Sequence, residues 1–219
     1  MRRGATDIAR VLEEDIVAGR LRPRERLVET ELAQRFQTSR APVREALRLL
    51  ESDRLVIKPP AKGVRVADLS LEEAEEIFVI LGTLQGLAAR LAARRMSPAD
   101  LRRLEQTLRK MERLGTATDL HGYFDLNLVF HDLIGRAARN QKLQRLTDSL
   151  GKQASRYRFA AMAGDGRVAK SIREHRAILE AIRAGKGRLA FKIAEESAAG
   201  AFKALRRART RPDSPVLLG

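Results

Sequence analysis

The apolar positions of the first fifty residues recur at helical spacing and predict three short helices. Residues 8–16 carry Ile, Val and Leu side chains three or four positions apart, and Gly19 follows as a stop signal. A second short pattern covers residues 27–36, and a third covers residues 40–53 at i, i+3, i+4 and i+7. Ser39 precedes the third pattern directly, where we expect its side chain to cap the helix.

After residue 53 the pattern changes to that of extended chain. Residues 55–57 and 64–66 are short runs rich in β-branched side chains, and the turn between them contains Pro59, Pro60 and Gly63. Three helices followed by a hairpin predict a winged helix-turn-helix domain over residues 1–69.

The rest of the chain has helical periodicity throughout. Ser70 and Glu73 form a capping-box pattern, and Ser97 precedes a proline, as is typical of a helix start. Glycines and short polar breaks divide this half into six helices, at about residues 70–95, 97–115, 119–139, 141–163, 167–184 and 187–209. Short connections predict an antiparallel six-helix bundle over residues 70–211, followed by a flexible tail at 212–219. The predicted fold class is therefore mainly α.

Amino-acid composition favours some classes of protein and excludes others. Lys and Arg number 43 against 28 Asp and Glu, a net charge of +15 that favours an acidic partner such as nucleic acid. The absence of cysteine excludes disulfides and thiolate metal sites. The longest uncharged stretch, residues 77–89, is shorter than the ~20 apolar residues of a membrane helix. We expect a cytoplasmic protein without membrane association.

The third predicted helix carries a basic stripe. Arg40, Arg44 and Arg48 repeat every four residues, about a third of a turn from the apolar face. Such a helix can enter the major groove of DNA, where arginine binds guanine O6 and N7. The alternative is a solvated face whose arginines pair with Glu45 and Glu51, and for the stripe alone this alternative is favoured.

The helix-turn-helix and the wing together reverse that preference. Ser39 and the first-turn amides are placed to hold a phosphate, and the wing adds two basic side chains around a glycine. The candidate DNA contacts are Ser39, Arg40, Arg44, Arg48, Lys62, Gly63 and Arg65.

The motifs in this region are specific. L-V-E at residues 27–29, E-L-A at 31–33 and S-R-A-P-V-R-E-A-L at 39–47 resemble the GntR family of bacterial transcription regulators. The resemblance implies DNA contacts by Ser39, Arg40, Arg44 and Gly63, whereas Arg24 replaces a usual glycine. It also implies a homodimer that binds a two-fold-related operator on double-stranded DNA, and regulation as a repressor.

The helical half resembles the effector domain of the FadR-like branch of that family, the FCD domain. The resemblance rests on Y-F-D-L-N-L-V-F-H-D-L-I-G-R-A-A-R-N at residues 123–140 and E-H-R-A-I-L-E-A-I at 174–182. Many members bind a divalent metal such as zinc there, and the matching positions are Asn127, His131, His175 and Ser197. Ser197 stands where those relatives have a histidine.

This departure leaves three alternatives for the effector pocket. The two histidines bind a metal together with Asn127, or they are buried side chains bonded to water and neighbours, or they bind an anionic or polar effector directly. Arg156 and Arg158 are placed to pair with a carboxylate effector, although a surface location is slightly favoured. Relatives often have Arg and Glu where this chain has Leu81 and Gln85, so we expect a less polar ligand.

Three classes of function are consistent with these patterns. A DNA-binding regulator controlled by a small molecule is favoured, with no cofactor required. A metal-dependent enzyme using Asn127, His131 and His175 lacks a base and a nucleophile, so we expect no enzymatic activity. A basic helical protein that binds nucleic acid without sequence preference is the third class.

Overall fold

The computed structural model describes residues 4–60, 63–68, 70–115, 119–162 and 166–209. Contacts between residues divide the chain into two compact units, and the division falls between Ser70 and Leu71. Lys62 and the predicted tail at 212–219 lie outside the described residues.

The first unit contains three helices and a small antiparallel sheet. Its elements are α1 (Ala5–Val17), β1 (Arg26–Leu27), α2 (Glu29–Arg35), α3 (Arg40–Ser52), β2 (Val56–Ile57) and β3 (Val64–Val66). The strand order is β1-β3-β2, so β3 pairs with both of its neighbours. The predicted winged helix-turn-helix fold is confirmed.

Strand β1 was not predicted. The apolar pattern assigned Leu27 to the second helix, but Leu27 lies opposite Val64 in the sheet and α2 begins at Glu29. The reason is that a two-residue strand has no measurable period, and the Leu27 side chain is buried in either arrangement.

The predicted cap at the start of α3 is wrong in one respect. Ser39 is the N-cap residue with extended backbone, yet its side chain accepts no hydrogen bond from the first turn of the helix. Its hydroxyl is exposed at the same end of α3 as the first arginine. A first turn without a side-chain cap leaves its amides open to an external acceptor.

The core of this unit forms where the apolar faces of the helices meet the sheet. The periodic residues of α1 and α3 are buried, except for the partly buried Val11, as are the inner positions of β2 and β3. Its members include Ile8, Leu12, Val43, Leu47, Leu50, Leu55, Val56 and Val66. Packing of this kind fixes the direction in which the opposite, basic face of α3 points.

The described residues of the second unit form six helices, as predicted. They are α4 (Leu71–Arg95), α5 (Pro98–Leu114), α6 (Leu120–Ala137), α7 (Gln141–Met162), α8 (Arg167–Arg183) and α9 (Gly187–Arg209). Ser97 caps α5 by accepting a hydrogen bond from the Asp100 amide at 3.1 Å, and Asp119 caps α6 through the Gly122 amide at 2.8 Å.

Helix α4 is the central helix of the bundle and packs most closely against α9. Gly82 and Gly86 lie one turn apart on α4, and a methyl group at either position would approach α9 to 3.0 Å. The atoms it would meet belong to Ala198 and Phe191. Glycine therefore allows the two backbones to come this close.

Within the described residues, α4 is also the one helix long and apolar enough to cross a membrane. Half of its apolar window is nevertheless buried inside the bundle. Length and composition are weak evidence here, since the core helix of a helical bundle meets the same criterion.

Candidate DNA-binding surface and effector pocket

A single carboxylate from α2 holds two of the candidate arginines. Arg44 donates from Nε to Glu29 Oε1 at 3.1 Å and from a terminal nitrogen to Oε2 at 2.9 Å, while Arg40 donates to Oε2 at 3.1 Å. Hydrogen bonding by Arg44 is the largest of the effects that lower the pKa of Glu29 to about 2. Glu29 is therefore charged at neutral pH and keeps both guanidinium groups at the N-terminal end of α3.

This arrangement differs from the solvated-face alternative. Arg44 pairs across the helix-turn-helix with Glu29 and not with an acid of its own helix. Arg48 does pair within α3, at 3.5 Å from Glu45, and its side chain is highly exposed. The structure thus places Arg40 and Arg44 together and leaves Arg48 one turn further along the same face.

The wing contributes differently from the prediction. Gly63 has a positive φ of 70°, as predicted, and a methyl group there would lie 3.5 Å from Nε of Arg26. Arg65 is half-buried and donates to the backbone carbonyl of Arg24 at 3.3 Å. Part of its guanidinium is therefore used in a hydrogen bond within the domain. Among the described residues, an exposed cation beside the glycine is Arg26, which was missed because β1 was not predicted.

Arg24, which replaces a glycine of the resembled motif, has a φ of 67°. That is the left-handed region in which glycine is the usual residue. The Arg24 side chain bonds Asp68 and its amide donates to the Val66 carbonyl at 3.0 Å, so local bonds compensate for the strained backbone. The departure from the motif leaves the geometry of this turn intact.

The second unit encloses a small cavity between α4, α6, α7, α8 and α9. Its polar lining consists of Gln85, Asn127, His131, Arg158, Arg167, Ser171, His175 and Ser197, and its apolar lining of Ala161, Met162, Ala198 and Ala201. The volume open to a water molecule is about 20 Å³, enough for a water molecule or a small ion. A larger ligand requires side chains to move apart.

The two pocket histidines are neutral and adjacent. His175 Nδ1 lies 2.6 Å from the carbonyl oxygen of Ser171, so Nδ1 carries the proton and Nε2 is an acceptor. Nε2 is buried and has no hydrogen-bond partner within the described part of the chain. The His131 and His175 ring centroids are 5.1 Å apart. Burial lowers the pKa of His175 to about 4 and holds that of His131 well below its ordinary value.

Two buried arginines give the pocket a positive charge. Arg158 is 6% exposed and donates to the neutral Gln85 Oε1 at 2.9 Å, and no described carboxylate lies within ion-pairing distance of it. Burial is the main cause that lowers its pKa, to about 10, so it stays charged at neutral pH. Arg167 pairs with Glu174 at 2.9 Å. A buried cation with only an amide partner favours an anionic ligand.

Ser197, which stands where the metal-binding relatives have a histidine ligand, takes part in a hydrogen-bond network. Ser197 donates from Oγ to Glu174 Oε2 at 2.8 Å, and the same oxygen accepts from Arg167. Among the described residues, no group of three or more His, Cys, Asp or Glu side chains could hold a metal ion. Asn127, His131 and His175 supply three neutral donors, and Arg158 and Arg167 oppose a second positive charge. These residues fit a divalent metal incompletely.

The surface location favoured for the two arginines of α7 is wrong. Arg156 is 5% exposed and lies beside Tyr157 and Glu73, with its guanidinium over the tyrosine ring at 5.0 Å. It does not line the cavity, whereas Arg158 does. The reason is that α7 is buried on all sides over its last turns. The arginines in those turns gave the sequence the polar pattern of an exposed helix face.

Sequence reasoning also missed part of the pocket. Arg167 and Ser171 line it from α8 and lie outside the quoted motifs. Glu174 begins the motif at 174–182 and bonds Arg167 and Ser197, but it was not predicted as a site residue. Their spacing was a usable signal, since residues 167, 171, 174 and 175 share one face of a helix. The charge from Arg158 and Arg167 does not support the less polar ligand expected from Leu81 and Gln85.

Comparisons with protein families match both units. Residues 5–66 match the family described as bacterial regulatory proteins, gntR family, and residues 76–199 match the FCD domain. The HTH-type regulator YdhC of Bacillus subtilis (strain 168) is 32% identical over 78% of this chain and 77% of its own length. The HTH-type transcriptional repressor GlaR of Escherichia coli (strain K12) is 31% identical over 68% and 70%.

One further relative and one solved structure extend these similarities. A protein named as a probable D-xylose utilization operon transcriptional repressor, from Paenarthrobacter nicotinovorans, is 30% identical over 80% of this chain and 77% of its own. The structure of Escherichia coli McbR/YncC superposes with a TM-score of 0.82 at 22% identity, over 94% of this chain and 99% of that one. At that identity the structure supports the fold alone.

Proposed function

The chain belongs to the GntR family of bacterial transcription regulators and carries an FCD domain, and on that premise we propose that it is a cytoplasmic, homodimeric repressor. DNA binding and transcription regulation follow from the family. Repression is proposed because two of the similar proteins are named repressors. We assign no catalytic role to the pocket.

The cluster of exposed Arg40 and Arg44 around the half-buried Glu29 carries the proposal for DNA readout. Glu29 orients two guanidinium groups before DNA arrives, which reduces the entropy lost on binding. The exposed Ser39 hydroxyl and the open amides of α3 lie at the same end, where a phosphate is favoured. We assign base readout to Arg40 and Arg44, and backbone contacts to Ser39, Gly63 and Arg48.

Selection of bound sequences from random DNA tests this assignment. The wild type should enrich a two-fold-related sequence, and Arg40→Ala or Arg44→Ala should weaken binding to it by at least about tenfold, because a bidentate pair with guanine contributes about 1–3 kcal/mol. Arg103→Ala, an exposed arginine of α5, is the control. Binding without an enriched sequence, but with steep salt dependence, would favour the non-specific class instead.

For the effector, we propose a small carboxylate or similar anion that pairs with Arg158. The supporting observation is a buried, charged guanidinium whose bonded partner is the neutral Gln85. The cavity has room for only a small ion, so an organic effector must displace side chains as it binds. Such a displacement links effector binding to a change in protein conformation.

Calorimetry with a panel of small mono- and dicarboxylates tests the effector class. Binding should be lost in Arg158→Gln and kept in Arg156→Gln, which is also buried but outside the cavity. If both variants bind equally well, Arg158 does not hold the ligand. If apolar ligands alone bind, the anion proposal is wrong.

A metal-bound pocket is the second candidate, and one observation favours it. The proton of His175 lies on Nδ1 toward Ser171, which leaves Nε2 as the nitrogen that a metal would take. The incomplete donor set and the two arginines oppose it. We therefore expect carboxylate binding to survive removal of metal by a chelator, and metal analysis of the purified protein to find less than one equivalent.

A further inference from the structure

The outer face of α4 carries a symmetric pattern that no functional site described above uses. Seven positions follow one stripe along the helix, namely Glu72, Glu76, Val79, Thr83, Leu87, Arg90 and Arg94. Their spacings are 4, 3, 4, 4, 3 and 4 residues, the same in both directions from Thr83. At 3.6 residues per turn, all seven lie within about 40° of Thr83 around the helix axis.

The stripe faces away from the bundle. Six of its seven residues are exposed and Leu87 is half-buried. Val79 is 64% exposed and its neighbour Ile80 is 51% exposed, the two largest exposures of apolar side chains in α4. Large apolar side chains grouped on one exposed surface indicate an interaction site.

The chemistry along the stripe changes from one end to the other. Two glutamates occupy the N-terminal end, Val79, Thr83 and Leu87 occupy the centre, and two arginines occupy the C-terminal end. Glu76 forms no ion pair among the described residues, and Arg90 only lies over the Phe191 ring at 5.8 Å. A surface of this kind is complementary to itself when one copy is reversed.

We propose that α4 packs antiparallel against α4 of a second copy, with Thr83 on the two-fold axis. This arrangement places Glu76 opposite Arg90 and Glu72 opposite Arg94, each pair occurring twice, and Val79 opposite Leu87. A two-fold contact uses the same patch on both copies, as the palindromic spacing requires. A parallel arrangement would place like charges opposite each other. The inference rests on the proposed homodimer and locates its interface.

The contact extends over the length of the helix. From residue 72 to residue 94 it spans about 33 Å at 1.5 Å per residue. Helices that pack at 8–10 Å, with Cα atoms about 2.3 Å from each axis, leave about 3.4–5.4 Å between the Cα atoms of the two copies of residue 83. That interval overlaps the Cα–Cα range of a disulfide bond, about 4.4–6.8 Å.

The chain contains no cysteine, so single cysteine variants give an unambiguous cross-linking test. Thr83→Cys should form a covalent dimer on mild oxidation in nearly all molecules. Glu76→Cys is the matched control, because its two copies lie about 21 Å apart in the antiparallel arrangement but adjacent in a parallel one. Cross-linking of Glu76→Cys, or none of Thr83→Cys, would overturn the proposal.

Charge reversal tests the pairing itself. Glu76→Arg and Arg90→Glu should each raise the dimer dissociation constant by at least about tenfold, measured by analytical ultracentrifugation, since each creates two repulsive pairs per dimer. The double variant should return to within about threefold of the wild type. Equal weakening by the singles and the double would show that the two positions do not face each other. Circular dichroism verifies that each variant is folded.

The oligomeric state of the wild type shows whether a negative result contradicts this inference alone or the proposed function as well. A dimer that does not cross-link at residue 83 has its interface elsewhere, which leaves the homodimeric repressor intact. A wild type that is monomeric at micromolar concentration contradicts the homodimer as well.

Discussion

Acidification should destabilise the second unit through His175 by an amount that can be calculated. The side chain is 2% exposed, and burial lowers its pKa to about 4 from a value of about 6.5 in the unfolded chain. Between these two values the unfolded chain takes up a proton that the folded protein does not. The contribution of neutral His175 to stability is therefore complete above pH 6.5 and is lost as the pH falls toward 4.

The expected magnitude follows from the same two values. At pH 5.0 the unfolded chain is about 1.5 pH units below its pKa, and each unit corresponds to about 1.4 kcal/mol, so the loss is about 2 kcal/mol relative to pH 7.5. A typical domain has a free energy of unfolding of about 5–15 kcal/mol, so this loss is measurable.

Urea denaturation followed by circular dichroism at pH 7.5 and 5.0 measures the effect. Carboxylates titrate in every variant, so the informative quantity is the change in unfolding free energy between the two pH values. That change should be about 2 kcal/mol smaller in His175→Gln than in the wild type, whatever the variant's stability at pH 7.5. His121→Gln, at an exposed histidine, is the control. Equal pH dependence in His175→Gln and the wild type would refute the reasoning.

Three further predictions concern DNA readout, metal binding and helix packing. Arg44→Lys keeps the charge but loses the two-pronged guanidinium, so we expect the free energy of operator binding to weaken by about 1–3 kcal/mol per half-site, with little change in salt dependence. Fluorescence anisotropy with labelled operator DNA measures this loss. An equal loss on all DNA sequences would indicate a phosphate contact instead. Ser197→His adds a third imidazole to the pocket, so metal analysis should find close to one zinc per chain, and no gain would contradict the role given to the absent ligand. Gly86→Val should lower the unfolding free energy by about 2 kcal/mol or more, because Phe191 leaves no room for the added side chain. Gly151→Ala, at a position with no neighbour within 4 Å, should raise the unfolding free energy by about 0.5–1 kcal/mol. Similar effects of the two substitutions would contradict the close packing of α4 on α9.

The helices of the second unit could be predicted from the sequence because each has a long periodic pattern and lies between short breaks. Helix α5, for example, begins after Ser97 and ends at Gly115, as the cap and the glycine indicate. Strand β1 could not be predicted, because two residues carry no period and its position depends on pairing with β3. Pairing between residues 37 and 39 positions apart is determined by tertiary structure.

The sequence identified several residues of the candidate sites but not the residues with which they form bonds. The sequence places Arg40 and Arg44 on one helix face, yet their shared carboxylate, Glu29, comes from another helix. In the pocket, the motif locates His131 and His175, whereas the charge of the pocket depends on arginines at nonmotif positions. Burial of a charged side chain is a property of the packed bundle, and no local pattern reveals it.

One helix connects the two proposals made for the second unit. Gln85 on the inner face of α4 bonds Arg158 in the pocket, and Thr83, two residues earlier, lies on the outer face at the centre of the proposed dimer contact. Arg158 gives one N–H to Gln85, and an anion that draws the guanidinium toward itself weakens this bond between α7 and α4. A rigid helix with close glycine packing moves as a unit, and a shift of α4 at the pocket is then also a shift at the dimer axis. Such a shift changes operator affinity only if the anion binds the two positions of α4 unequally, and the weakening of the Gln85 bond in one of them is a physical basis for that inequality.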